Sequence, residues 1–298
     1  MQLISGIPIP VRHILISTLS FAIMNVLLKK VTHLPAMEIV MFRCGVSMLL
    51  CFAALSNTGV SWIGNNRLLL LARGVFGTTA LFTFFYTLDK MPLGSAVTIQ
   101  YLSPIFTTVI AIFWLQEKVK SIQWLFFAIS FLGVVVIKGF DSRIPTTALL
   151  VGIASAFASG MAYNVVRTLR GKENTMVVVL HFQLVGFVLG MLFTVFNWRT
   201  PTLIDLVYLF FIGVTTQIGQ VNLTKALQGE KMANVSVYNY LGVLYAVLFG
   251  WLFFDESYSA MALSGIILVL SGVLLNYFYQ QWQLRKLVPE ETLSGVEE

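Results

Sequence analysis

Two stretches 139 positions apart, Thr98-Ile99-Gln100-Tyr101-Leu102-Ser103-Pro104 and Val237-Tyr238-Asn239-Tyr240-Leu241-Gly242-Val243, carry one plan. In each, an amide and a tyrosine precede a leucine inside an apolar run. At the same offset and without a gap, Ser20 matches Ser159, Asn25 matches Asn164, Met37 matches Met176 and Gly74 matches Gly213. Further on, Glu117 matches Glu256 and Gly133 matches Gly272. Leu and Val identities arise by chance between apolar sequences. The Asn, Tyr and Glu pairs are the informative ones, and they make the chain a tandem duplication.

Composition says where this duplication resides. Apolar residues make up 57% of the 298 residues, charged residues 11%, and the mean hydropathy is +0.84. A soluble domain needs roughly 25% charged residues for its water-facing shell. The chain is therefore expected to be an all-α integral membrane protein. A spanning helix needs about 20 mostly apolar residues. Ten candidate spans run near 11–31, 36–56, 68–88, 93–115, 121–138, 147–168, 176–197, 205–227, 233–254 and 259–282. Pro35, Pro92, Pro145 and Pro201 fall at their junctions or starts, where a missing N–H costs little. The first span reads as a retained helix rather than a leader, since no small-residue cleavage site follows it.

Ten spans in two repeats put five in each half, at 1–139 and 140–282, with a tail at 283–298. An odd number gives the halves opposite orientations, an inverted repeat of the kind found in many secondary transporters. With the N-terminus inside, twelve Lys and Arg residues fall on the inner side, Arg67 and Arg73 among them, and six on the outer side. That bias expects both termini in the cytoplasm and the protein in the cell (inner) membrane.

Other functions lack their signatures. Cys44 and Cys51 lie on one span, about 10 Å apart at ~1.5 Å per helical residue, too far to bridge. His13, His33 and His181 show no metal-ligand spacing, so no metal is expected. There is no Gly-x-x-x-x-Gly-Lys-Ser/Thr or Gly-x-Gly-x-x-Gly run, and no cofactor is expected. The net charge of +6 is spread between apolar spans, which suits basic cytoplasmic loops and not nucleic acid. A membrane-embedded enzyme would need a carboxylate pair, metal cluster or nucleophile–base pair within the spans, and none is evident. A receptor or scaffold would need an extramembrane surface, for which the loops are short.

Polar residues inside spans are the candidates for recognition, because facing lipid would leave them unpaired. Gln100 and Tyr101 in the fourth span match Asn239 and Tyr240 in the ninth, where Ser236 shares their face. Both pairs fall about a third of the way along, roughly 5 Å either side of the midplane of a ~30 Å core. An amide beside a phenol suits a polar, aromatic or cationic substrate. Thr83 and Tyr86 in the third span, and Gln217 and Gln220 in the eighth, form further polar stripes. All of these also suit hydrogen bonding between helices. Arg43, seven residues into the second span, can hold an anionic group or pair with Glu38. His181 in the seventh is a candidate for proton coupling. Snorkelling or a structural ion pair is the alternative for both.

The order of local motifs resembles a known family. The first half has Leu81-Phe82-Thr83-Phe84-Phe85-Tyr86-Thr87-Leu88, Met91-Pro92-Leu93-Gly94-Ser95-Ala96-Val97, Leu102-Ser103-Pro104, Gln116-Glu117-Lys118 and Leu132-Gly133-Val134. The second has Lys225-Ala226-Leu227, Asn239-Tyr240, Asp255-Glu256 and Leu270-Ser271-Gly272-Val273. This plan, present twice, resembles the EamA-type branch of the drug/metabolite transporter superfamily over essentially the whole chain. The resemblance implies a ten-helix secondary carrier of a small metabolite, working as exporter or exchanger among membrane lipid. Val243 stands where the first half has Pro104, so a proline kink is expected on one side only.

Overall fold

The computed structural model describes residues 9–56, 58–116, 119–228 and 240–287. They form eleven α-helices and no strand: α1 (Ile9–Lys30), α2 (Ala36–Leu55), α3 (Arg67–Lys90), α4 (Leu93–Gln100), α5 (Ser103–Trp114), α6 (Ser121–Phe140), α7 (Thr146–Thr168), α8 (Thr175–Thr194), α9 (Leu203–Gln228), α10 (Leu241–Phe254) and α11 (Ala260–Leu287). The α4–α5 pair is one apolar stretch, Leu93–Trp114. Nine stretches are thus long and apolar enough to cross a membrane among the described residues, and α10 is a shorter apolar helix. In hydrocarbon the backbone must bond to itself, which leaves helices as the form these runs can take.

Helix starts follow local chemistry. Pro35, Pro92 and Pro145 take extended dihedrals as the N-caps of α2, α4 and α7, and Asn174 caps α8 by accepting from the Met176 N–H at 2.8 Å. The fourth span, read from sequence as one stretch with a proline kink at Pro104, is interrupted: Tyr101 and Leu102 leave the α-helical run before α5 begins at Ser103 with Pro104 in its first turn. The cause is that proline lacks an N–H and crowds the preceding turn.

The most extensive packing joins residues before 140 to residues after it. Helix α6 lies along α11, α3 along α7, α1 along α9 and α2 along α8; further contacts join α5 to α7, α4 to α10 and α1 to α10. Lipid supplies no hydrophobic drive between helices, so such pairs depend on close approach and hydrogen bonds. Glycines allow that approach. A Cβ on Gly133 of α6 would meet the Val269 N and Gly265 O backbone atoms of α11 at 2.6 and 2.7 Å. Gly74 abuts Val185, and Gly213 abuts Val46 in the matching place. Large apolar side chains such as Leu68, Phe113, Phe196 and Trp251 cover the outside.

At one end of the bundle, Glu173 between α7 and α8 ties down the start of α3. Its carboxylate accepts from the Asn65 N–H at 2.6 Å, the Asn66 N–H at 2.5 Å and the Asn66 side chain at 3.0 Å. Burial raises its pKa, but these hydrogen bonds and the charge of His181 outweigh burial and hold it below the ordinary 4.5.

Two outcomes follow from this packing. Gly133→Ala should lower the thermal midpoint in detergent, at a cost of about 1–3 kcal/mol for forcing α6 from α11. Gly139→Ala in the same helix, where a Cβ meets nothing within 4 Å, should be neutral or slightly stabilising. Because the folded pKa of Glu173 is depressed, its contribution is present above pH 4.5 and disappears as pH falls through the folded value. The wild-type midpoint should accordingly fall on acidification through that range, and Glu173→Gln should flatten the fall while lowering the midpoint at neutral pH.

A candidate substrate cavity

Between α1, α2, α3, α4, α7, α8 and α9 lies a cavity of about 160 Å³. Its wall includes Asn25 from α1, Arg43 from α2, Arg73 and Gly77 from α3, Gln100 and Tyr101 at the α4–α5 break, Ser159 and Tyr163 from α7, Phe182 from α8 and Gln220 from α9. The break at Tyr101 allows this convergence, since it turns two consecutive polar side chains into the same space.

Each polar group is held differently. Gln100 donates to Ser159 Oγ at 2.7 Å and accepts from Ser155 Oγ at 2.9 Å, so α7 fixes its amide while it faces the cavity. The Tyr101 ring packs on Tyr240, with centroids 5.5 Å apart. Tyr240 stands behind Tyr101 as a buried support. Arg43, 1% exposed, donates through Nε to Thr216 Oγ1 at 2.8 Å and through Nη1 to the Cys44 sulfur at 3.7 Å. Its guanidinium carbon lies 5.6 Å from the Phe182 ring centroid. Arg73, 4% exposed, lies 4.1 Å from the same centroid and reaches Gln220 Oε1 at 3.4 Å, while its Nε has no partner. Asn25, 7% exposed, has an unpartnered Oδ1; its counterpart Asn164 donates to Thr107 O and Gly160 O.

Other residues singled out from sequence go elsewhere. Gln217 accepts from Ser47 at 2.6 Å and from Cys51 at 3.3 Å in a network with Gln183, away from the cavity. Thr83 bonds back to the Thr79 and Ala80 carbonyls, and Tyr86 packs on the apolar core. His181 bonds Val177 O at 2.9 Å and does not line the cavity. Glu38 meets the Arg199 N–H at 3.0 Å, so Arg43 is not its partner. Ser236 and Asn239 lie outside the described residues, as does Glu117. Arg73, expected on the inner side with Arg67, is instead buried within α3, whose first residue is Arg67.

One end of the bundle is held by a polar clasp. Lys29, one helical turn past Asn25, pairs with Glu256, and the Glu256 carboxylate also accepts from the Leu93 N–H at 2.8 Å and from Tyr258 Oη at 2.5 Å. Tyr258 Oη in turn accepts from the Gly94 N–H at 2.9 Å. This clasp joins the ends of α1, α4 and α10. Nearby, Arg143 binds Asp141 and donates to Ser257 O at 2.6 Å. Asp141 is raised by burial, but its Arg143 bonds outweigh this and hold it low.

Gln100→Leu tests how firmly α4 and α7 are joined. It should strand the Ser159 hydroxyl and leave Ser155 with only the Ala80 carbonyl, at a cost of about 1–2 kcal/mol, read as a lower unfolding midpoint.

Comparison with known proteins agrees with this architecture. The model of the EamA-like transporter family matches residues 11–139 and again 146–278. The pseudopaline exporter of Pseudomonas aeruginosa (strain UCBPP-PA14) is 29% identical over 257 residues, covering 85% of this chain and 90% of that protein. Human solute carrier family 35 member G1 is 27% identical over 289 residues, covering 89% and 79%. The S-adenosylmethionine uptake transporter of Rickettsia bellii is 21% identical over 258 residues, covering 86% and 89%. A solved crystal structure with 16% identity superimposes with a TM-score of 0.66 over 92% of this chain and 98% of its own, a likeness of fold. With nine apolar stretches long enough to span a membrane among the described residues and two consecutive family matches, the chain is a multi-pass membrane protein that belongs to the EamA-like transporter family, a transporter and not an enzyme.

Proposed function

We propose that this protein is a secondary transporter that carries a small organic metabolite by alternating access between two inverted five-helix units, 1–139 and 140–282. The observation that carries this reading is how the helices pair. Counting α4–α5 as one span, every principal contact maps onto another, or onto itself, when each span is replaced by the one five places on. The α1–α9 contact corresponds to α7–α3, and α5–α7 to α10–α1; α2–α8 and α6–α11 map onto themselves. Residues 139 positions apart can touch only near an axis relating the two units. Tyr101 packs on Tyr240, Arg43 on Phe182, and Ser130 Oγ donates to Val269 O at 3.2 Å. The cavity lies beside the first two of these contacts, where repeat-built carriers place substrate.

The clasp of Lys29 and Glu256 is a gate in this reading, closing one side while the other admits solute. The charge bias of the loops supports both termini in the cytoplasm of a cell with this protein in its inner membrane. Export or exchange is the mode in this reading; since relatives are named both as an exporter and as an uptake transporter, direction is what a flux measurement must separate.

The test is counterflow in proteoliposomes, using amino acids, nucleosides and S-adenosyl compounds with and without a proton gradient. Saturable flux without ATP is expected for at least one solute. Binding without flux would replace the carrier with a receptor, and chemical conversion of the solute would indicate an enzyme. In a background with Cys44 and Cys51 changed to serine, Asn25→Cys reports access to the cavity. Lys29→Met and Glu256→Gln should each raise its labelling by an impermeant thiol reagent from the Lys29 side; unchanged labelling would mean the clasp is no gate.

A further inference from the structure

We infer that the substrate is a small organic dianion, a dicarboxylate carrying an N–H or O–H donor, gripped by Arg43 and Arg73 beside the Phe182 ring. The inference rests on the carrier reading and narrows its substrate. Both guanidinium groups are buried, and both lie against one ring, at 5.6 and 4.1 Å from its centroid. Among the described residues, no carboxylate comes within ion-pair distance of either. The buried acids are engaged at helix ends: Glu38 with the Arg199 N–H, Asp141 with Arg143, Asp205 with His33 and Thr202, and Glu256 with Lys29. Two unpaired like charges deep in a membrane protein are costly unless something neutralises them.

The local geometry favours an outside partner over an internal one. Arg43 is steadied by Thr216 through Nε, and its Nη1 meets only the weak acceptor Cys44. Arg73 makes one long bond to Gln220 and keeps Nε unpartnered. Each fork therefore retains capacity for a carboxylate, which guanidinium binds through paired N–H groups. Gly77 makes the room, because a Cβ there would collide with Arg73 Nη1 and the Phe182 ring. Two forks against one ring fit two separated negative groups, whereas a phosphate monoester concentrates its charge on one. The unpartnered Asn25 Oδ1 on the cavity wall is an acceptor that a ligand amine or hydroxyl would satisfy.

The experiment measures thermal stabilisation of the purified full chain by malate, aspartate, succinate, butyrate, glycerol phosphate and putrescine. Malate and aspartate should stabilise most, succinate less, butyrate weakly and putrescine not at all. Arg43→Gln and Arg73→Gln should each weaken malate binding about tenfold or more, with a smaller effect on butyrate, since each removes one charge-assisted contact. Arg73→Lys should recover part of the loss, and Arg170→Gln, the same charge change at an exposed loop, should leave binding unchanged. If a glutamine variant does not fold, the wild-type ligand order decides alone. The proposal is overturned if no dicarboxylate stabilises the protein, if butyrate, glycerol phosphate or putrescine matches malate, or if folded glutamine variants bind malate normally. Malate bound but not moved in proteoliposomes would sink the carrier reading and leave the clamp standing. Another solute moved and undisturbed by malate would do the reverse.

Discussion

A polar group inside a membrane must find its partner within the protein, and the arrangement of this chain follows from that constraint. It makes the backbone helical, turns Ser, Thr, Asn and Gln side chains inward, and lets glycine seams bring helices close enough to bond. Gln217 with Ser47 and Cys51, and Gln100 with Ser155 and Ser159, are local solutions. Arg43 and Arg73 are incompletely solved cases, and they meet in the same cavity. A bundle selected for stability alone would have no reason to retain them there.

The spans were legible in the sequence because apolar length is a coarse signal that tolerates errors of a few residues. The internal match of Gln100-Tyr101 with Asn239-Tyr240 related the two halves in sequence, but did not show that the Tyr101 ring packs directly on Tyr240. Finer geometry was hidden. Gln217 and Gln220 lie three residues apart on one face of α9, yet only Gln220 lines the cavity, because Ser47 and Cys51 of a distant helix occupy Gln217. Arg73 looked like a loop charge because Arg67 stands near it; its depth depends on the seat left by Gly77 and Phe182. The signal that could have found it is the uninterrupted apolar run on both sides of it. The break at Tyr101 had Pro104 as its hint, but the register of the interruption is set by how α4 and α5 pack on α7 and α10.

Duplication made two similar halves, and substitution has since made them differ where chemistry matters. Phe182 stands at the position corresponding to Arg43, so the repeated site became a cation against a ring. Thr168 stands at the position corresponding to Lys29, so the Lys29–Glu256 ion pair has no copy in the other half. The backbone plan is repeated, while the charges are not. A symmetric scaffold thereby acquires two chemically distinct ends and a cavity wall that carries two arginines.

The cross-half pairing also governs how the protein is made. The first half enters the membrane with Arg43, Arg73, Gln100 and Lys29 already in place, but their partners Thr216, Gln220, Ser159 and Glu256 are all synthesised later. Until those residues emerge, four costly polar side chains must wait in a half-built bundle. The nascent chain is thus most exposed to quality control at its midpoint, and assembly is completed from the C-terminal side.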